Sequence, residues 1–204
     1  MLTFDEMFAI CKPHSVVSRE RMIGLYQAVS RVRQFSIPGD IVECGSFRGG
    51  TAALMALACD FARHVWMFDS WEGMPPATAD DPPNAMRQTG GCAVSWAEVF
   101  GFLTSVGVLK NGTMVKGWFK DTFPLHEVKQ IAVLHVDCDW HDSVKISLET
   151  FYDLVSPRGV VQVDDYGHWA GARKAVDDFF KVRGIDPGLV PLDYTGVQHV
   201  KGSG

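Results

Sequence analysis

Ile41-Val42-Glu43-Cys44-Gly45-Ser46-Phe47-Arg48-Gly49-Gly50-Thr51 reads as a short apolar strand, a glycine turn and the opening of a helix. Gly45, Gly49 and Gly50 let the chain turn sharply and leave room for a ligand against bare backbone. The amides that start the following helix favour a carboxylate or a phosphate. The spacing is neither G-x-G-x-x-G nor G-x-x-x-x-G-K-[ST], which removes support for dinucleotides and nucleoside triphosphates. Glu43, at the strand tip, attracts an ammonium or other cationic ligand and repels a pyrophosphate. Taken alone, the turn is equally what a plain strand-to-helix connection needs.

The next strand strengthens the reading. Val65-Trp66-Met67-Phe68 ends at Asp69, a carboxylate where folds of this kind commonly hold a ribose diol, although Asp69 could equally cap a helix. An acid beside a glycine turn and an acid on the second strand together suit S-adenosylmethionine. Arg48 is as consistent with a solvated side chain as with a ligand clamp.

Apolar strand-like runs continue at Thr113 to Val115, Ile131 to Val136 and Gly159 to Val163, the pattern of strands buried on both faces. Helical patterns separate them. Thr51 to Asp60 is rich in Ala and Leu, Ser95-Trp96-Ala97-Glu98 has the spacing of a capping box opening a helix towards Leu103, and Ala172, Ala175, Val176 and Phe179 form one apolar stripe. The alternation predicts an α/β fold with a mostly parallel twisted sheet and helices on both faces. Residues 1–36, with Met22, Tyr26, Val29 and Val32 at helical spacing, are expected to form a helical cover, and residues 37–204 the main domain. Glu72 to Cys92, with four prolines and three glycines, reads as a structureless substrate lid, and Val200 to Gly204 as a frayed tail.

At 204 residues, 47% hydrophobic and 21% charged, the chain fits one well-cored domain. A net charge of -5 offers no general attraction to nucleic acid or anionic lipid. With no apolar run near the roughly 20 residues that cross a bilayer and an acidic start, no membrane partner is expected and the cytoplasm is the expected location. Cys11, Cys44, Cys59, Cys92 and Cys138, odd in number and without a C-x-x-C pair, read as reduced, mostly buried thiols. A homo-oligomer is left open.

Asp137, Asp139 and Asp142 follow the run ending at Val136, and Asp164 and Asp165 follow the run ending at Val163. Strand ends in a parallel sheet share one edge, so these acids can converge, and their mutual repulsion calls for a cation. Hard oxygen donors without clustered cysteine or histidine favour Mg²⁺, with Mn²⁺ and Ca²⁺ admissible. Whether Asp137 or Asp139 faces the ion is open, since both would point to one side of a continuing strand. N-capping by Asp139 or Asp142 and a solvated loop at Asp165 are the plain alternatives. A divalent ion beside a sulfonium donor implies a hydroxylated small-molecule acceptor, with Asp139 or His141 as the base; His141 could also be an ordinary surface histidine.

With these residues in view, the chain resembles the macrocin O-methyltransferase (TylF-type) family of Mg²⁺- and S-adenosylmethionine-dependent enzymes that methylate sugar hydroxyls of natural products. The resemblance rests on Val42 to Thr51, Phe68 to Pro75, Lys116 to Pro124, Asp137 to Ser143 and Val163 to Trp169 continuing through Gly171-Ala172-Arg173-Lys174-Ala175-Val176, and it spans about two-thirds of the chain. The D-D-Y block with G-A-R-K-A-V is its most specific part. It implies a Rossmann-like class I methyltransferase fold, with metal ligation by Asp139, Asp164 and Asp165 and cofactor contacts from Glu43, Gly45, Ser46, Asp69, Ser70 and Asp137. Asp139 would also be the base. Two departures bear on the acceptor: Trp140-His141 stands where the family pattern has Leu-Tyr, and typical members carry more chain ahead of this one, over the acceptor.

Two other readings compete. Val136-Asp137-Cys138-Asp139 resembles the D-x-D metal site of nucleotide-sugar glycosyltransferases but leaves the glycine turn unexplained. A non-catalytic S-adenosylmethionine-binding module accounts for the turn, and retention of all three proposed metal ligands speaks against it.

Overall fold

The apolar runs become one seven-stranded sheet in the computed structural model, which describes residues 2–202. In chain order the elements are α1 (Phe4–Cys11), α2 (Arg19–Gln34), β1 (Asp40–Cys44), α3 (Gly50–Ala58), β2 (Val65–Asp69), α4 (Trp96–Val106), β3 (Gly112–Lys116), α5 (Phe119–Thr122), β4 (Ile131–Val136), α6 (His141–Phe151), β5 (Val155–Val163), α7 (Ala170–Val182), β6 (Val190–Pro191) and β7 (Val197–Val200). The strand order is β3-β2-β1-β4-β5-β7-β6. The first five are parallel, while β7 runs antiparallel to β5 and to β6. This is the α/β architecture expected from the sequence, a mostly parallel sheet with helices on both faces.

Successive residues of a strand face opposite sides of a sheet, and here each side meets its own helices. Ile41, Met67, Val133 and Val160 are buried in one core with residues of α1 to α4, and Val42, Phe68, Leu134 and Val161 in the other with α6 and α7. That two-sided burial explains why the central strands lack polar alternation. The predicted stripe on α7 is buried as a unit. On α2, Met22, Val29 and Val32 are buried, and the Tyr26 ring packs edge-on against Phe4 at 5.4 Å.

Several expectations need correction. Helix α4 is present, but Ser95 makes no side-chain capping bond. The capping box forms instead at Thr3 and Glu6, opening α1, a T-x-x-E signal the reading passed over. Residues 72–92 are not structureless: Met74 N–H donates to Gly91 O at 2.8 Å, Gly90 N–H donates to Met74 O at 2.9 Å, and Ala85–Gln88 forms a 3₁₀ turn. Nor does the chain fray at Val200, which ends β7. Lys201 N–H donates to Gly159 O at 2.9 Å and its ammonium to Val155 O at 2.8 Å. Ser203 and Gly204, the rest of that tail, lie outside the described residues.

The five cysteines are all free: Cys11, Cys44 and Cys59 are buried, Cys138 is half-buried and Cys92 is exposed. Among the described residues, no helix is long and apolar enough to cross a membrane.

Candidate active site

A cavity of about 830 Å³ opens where the parallel strands end, the edge at which open α/β sheets bind ligands. The turn after β1 forms one wall and the segments after β2 and β3 another. The floor is made by residues following β4 and β5.

Gly45 is required at the first wall. Its φ is +88°, and a Cβ placed there would lie 1.8 Å from the Asp137 carbonyl oxygen. Only a bare Cα lets the β1 and β4 ends close together, a contact also tied by the Asp137 N–H to Cys44 O bond of 2.9 Å. Ser46 lines the cavity, and its buried hydroxyl has no partner within the protein.

Asp69 also lines the cavity, but both of its oxygens already serve the backbone. Oδ2 accepts the Phe47 N–H at 2.8 Å and Oδ1 the Trp71 N–H at 2.7 Å. The Trp71 indole N–H donates back to Phe47 O at 2.9 Å, so the glycine turn and the β2 tip are one bonded unit. Burial raises the Asp69 carboxyl above the usual range despite these bonds. Ser70, also on the wall, accepts the Glu72 N–H at 3.1 Å through its hydroxyl.

Glu43 is elsewhere. It is fully buried, does not line the cavity, and pairs through Oε1 with His135 Nδ1 at 3.0 Å. His135, equally buried on β4, sits between Glu43 and Asp164, with Nε2 3.6 Å from Asp164 Oδ1. That second distance exceeds hydrogen-bond reach, so charge attraction carries it. Burial alone would lower the His135 pKa. Asp164 and Glu43 on either side outweigh it and push the imidazole up to about 10, which makes it a buried imidazolium.

Asp164 has a second cation. Arg21 of α2 pairs with its Oδ2 and, through Nε, with Asp193 Oδ2 at 2.9 Å. The result is a chain Glu43, His135, Asp164, Arg21, Asp193 that starts behind the cavity and meets its lining at Asp164 and Arg21. Neither Arg21 nor His135 was singled out from the sequence. Arg21 lies in a segment read as cover, and His135 sits inside an apolar run.

The acids from β4 and β5 do meet. Asp137, Asp139, Asp164 and Asp165 all line the cavity, and Asp165 Oδ2 accepts the Asp139 N–H at 3.2 Å. Loss of water raises Asp137 and Asp165 well above the carboxylate range, and repulsion from neighbouring acids adds to it. The same desolvation carries Asp139 up to about 6, although Trp169 donates its indole N–H to Oδ1 at 2.9 Å. Asp139 has φ +60°, an uncommon conformation for a residue with a side chain.

Among the described residues, the group with ligand atoms all within 4.8 Å of one another is His135, Asp137 and Asp164. The expected trio Asp139, Asp164 and Asp165 is not drawn to that spacing. His135 pairs through Nδ1 with Glu43, and the other donors of this group are the Asp137 and Asp164 oxygens. A buried Asp164 Oδ1 without a hydrogen-bond partner and a set of mutually repelling carboxyls fit a hard divalent cation.

His141 does not line the cavity; its Nδ1 lies 2.7 Å from Asp142 and 3.8 Å from Asp80. Trp140 and His168 do line it, with the Trp140 and Trp169 rings edge-on at 4.9 Å and the His168 ring edge-on to Trp169 at 4.6 Å. His168 lies within the D-D-Y block, where only the acids drew attention.

Known proteins match this geometry. The family described as macrocin-O-methyltransferase (TylF) matches residues 10–201. The 8-demethyl-8-(2,3-dimethoxy-alpha-L-rhamnosyl)-tetracenomycin-C 4'-O-methyltransferase of Streptomyces olivaceus is 36% identical over 194 residues, covering 90% of this chain and 74% of the relative. Demethyldecarbamoylnovobiocin O-methyltransferase of Streptomyces niveus is 34% identical with the same coverage. The solved O-methyltransferase NovP superposes with a TM-score of 0.85 at 32% identity, over 93% of this chain and 82% of that one.

Proposed function

Since the chain belongs to the macrocin-O-methyltransferase (TylF) family and is an O-methyltransferase, we propose that it moves the methyl group of S-adenosylmethionine to a hydroxyl of a sugar or sugar-bearing natural product, with Mg²⁺ at the acidic floor. The observation that carries this reading is the meeting of Asp137, Asp139, Asp164 and Asp165 in one cavity with the glycine turn. The names of the relatives, one acting on a rhamnosyl-tetracenomycin and one on demethyldecarbamoylnovobiocin, support a natural-product acceptor. A nucleotide-sugar glycosyltransferase has no comparable support, because the match to the family includes the glycine turn.

When bound, S-adenosylmethionine supplies a methyl group on a cationic sulfur, and Mg²⁺ supplies charge that favours the alkoxide of the acceptor hydroxyl. The chain's own groups do the rest. Gly45 lets the ends of β1 and β4 close together at the donor's wall, and the unpartnered Ser46 hydroxyl offers the donor a polar contact. Asp69 keeps the turn in shape and, with Ser70, presents oxygen to the donor's diol. Asp164 and Asp137, whose oxygens lie within 4.8 Å of each other, would hold the ion, and Asp139 and Asp165 would complete the set only by closing on it.

We assign the base to Asp139. Trp169 occupies Oδ1, which leaves Oδ2 on the cavity side to take the hydroxyl proton. His141, the other candidate, does not line the cavity and pairs with Asp142. Glu43 acts at one remove, through His135, on the charge of Asp164.

The test is methyl transfer to a panel of neutral rhamnosides and other hydroxylated glycosides, followed by mass for the gain of one methylene unit. Activity is expected to vanish in EDTA, return with Mg²⁺, and fall at least a hundredfold in Asp164→Ala and Asp165→Ala. Full activity in the chelator would refute the metal role.

A further inference from the structure

Asp81 is a buried carboxylate in the 72–92 segment that the chemistry above does not use, and it lies outside the cavity. Its Oδ2 accepts the Thr78 N–H at 2.9 Å and the Thr78 hydroxyl at 3.2 Å, which folds residues 78–81 into a compact turn. Its Oδ1 accepts the backbone N–H of His141 at 2.8 Å, across 60 residues of sequence.

That amide belongs to the first turn of α6. The preceding residue, Trp140, provides no side-chain cap, so an acceptor must come from elsewhere. Asp81 supplies it, and a carboxylate at a helix N-terminus is also favoured by the helix dipole. One residue earlier, the Trp140 indole N–H donates to Pro75 O at 2.8 Å. Two bonds therefore fasten the stretch Pro75 to Asp81 onto the turn that contains Asp139. A left-handed conformation at a non-glycine residue, as at Asp139, persists where its surroundings over-determine it.

Gly171 gives independent support. A Cβ there would stand 2.1 Å from Asp81 Oδ1, so the first turn of α7 keeps a bare Cα where this carboxylate seats. The glycine of G-A-R-K-A-V thereby acquires a physical reason. On the other side of the stretch, Pro75, Pro76 and Thr78 line the cavity.

We propose that Asp81 is a positioning residue for methyl transfer: by capping α6 it holds the Asp139 turn in place and fixes the Pro75 to Thr78 wall to the same turn. This rests on the reading of Asp139 as the base at the reacting centre. Loss of the cap frees the base and the acceptor wall together, and leaves the donor wall at Gly45 and Asp69 untouched.

The experiment compares Asp81→Ala, Asp81→Asn and Gly171→Ala in the full chain. Asp81→Asn keeps an oxygen for the His141 N–H, whereas Gly171→Ala displaces the carboxylate without removing it. Amide hydrogen exchange at His141 is expected to accelerate at least tenfold in Asp81→Ala and to stay near wild type in Asp81→Asn. Mn²⁺ affinity, read by its paramagnetic resonance, is expected to fall about tenfold in Asp81→Ala. With the best acceptor of the glycoside panel, kcat is expected to fall at least tenfold while the KM for S-adenosylmethionine stays within twofold, and Asp81→Asn recovers most of the loss. Unchanged exchange and unchanged Mn²⁺ affinity in Asp81→Ala, or equal losses in kcat and donor KM, would overturn the proposal. If the wild-type chain methylates no acceptor, the parent reading falls, and exchange and Mn²⁺ affinity still decide the role of Asp81. Should Gly171→Ala not fold, the two Asp81 variants suffice.

Discussion

Replacing Arg21 with methionine removes one charge and little else. Methionine keeps an unbranched stem, and the Arg21 stem lies against Gly196, where an added Cβ would meet Cδ at 2.6 Å. The guanidinium it deletes is 11% exposed and pairs with Asp164 at 2% and Asp193 at 11%. Breaking a buried pair leaves an uncompensated charge, at a cost of about 3–5 kcal/mol. The His135 imidazolium still attracts Asp164 from 3.6 Å away, so the lower end applies. For a chain of this length ~3 kcal/mol corresponds to a fall in Tm of about 6–12 °C.

Calorimetry on wild type and Arg21→Met at neutral pH measures it. A second variant, Arg21→Met with Asp164→Asn, removes the stranded carboxylate as well. It is expected to be more stable than Arg21→Met alone, because part of the cost is the unpaired charge and not the missing contact. A fall below about 2 °C in the single variant, or a double variant less stable than the single one, would refute the reasoning that α2 supplies the charge balance of the cavity floor.

Two further outcomes follow from the same geometry. In Gly45→Ala, a Cβ 1.8 Å from the Asp137 oxygen at φ +88° forces β1 and β4 apart, and a loss of about 2 kcal/mol or more in urea unfolding is expected, with weakened binding of S-adenosylmethionine by calorimetric titration. His135, raised to about 10 in the folded chain, stabilises fully below its unfolded pKa of about 6.5, and that contribution is lost as pH rises through 10. The stability gap between wild type and His135→Gln is therefore expected to be widest at pH 6 and to shrink steadily towards pH 10; a gap that widened with pH would contradict a buried imidazolium.

The parallel sheet was legible because its strands are buried on both faces and so read as unbroken apolar runs. The antiparallel edge was not. Val190–Pro191 spans two exposed residues, and Val197–Val200 carries Gln198 and His199 among its four, so neither offers an apolar run. The lower half of β5 was hidden for a related reason: Pro157 and Arg158 look like a turn, and Arg158 does have φ +68° within the strand. Site acids at strand tips could be found because topology alone gathers strand ends. Glu43 was assigned to the ligand by its nearness to the glycine turn, yet its side chain faces His135 and not the cavity. Arg21, His135 and Asp81 each have a partner at least 60 residues away, a contact that no local pattern encodes.

Arg21 and His135 share a function that the acids impose. Four carboxyl groups facing one cavity repel one another, and without compensation they would take up protons, as the raised values at Asp137, Asp139 and Asp165 already indicate. Compensation comes from His135 and Arg21, which flank Asp164 on two sides and are themselves balanced by Glu43 and Asp193. His135 lies outside the cavity and Arg21 lines it, and both face Asp164. Asp139 and Asp165 receive no comparable partner from the protein; their charge is left for a cation arriving from the cavity. The division leaves Asp139 open on the cavity side as the proposed base, while Asp164 is tied by Arg21 and His135.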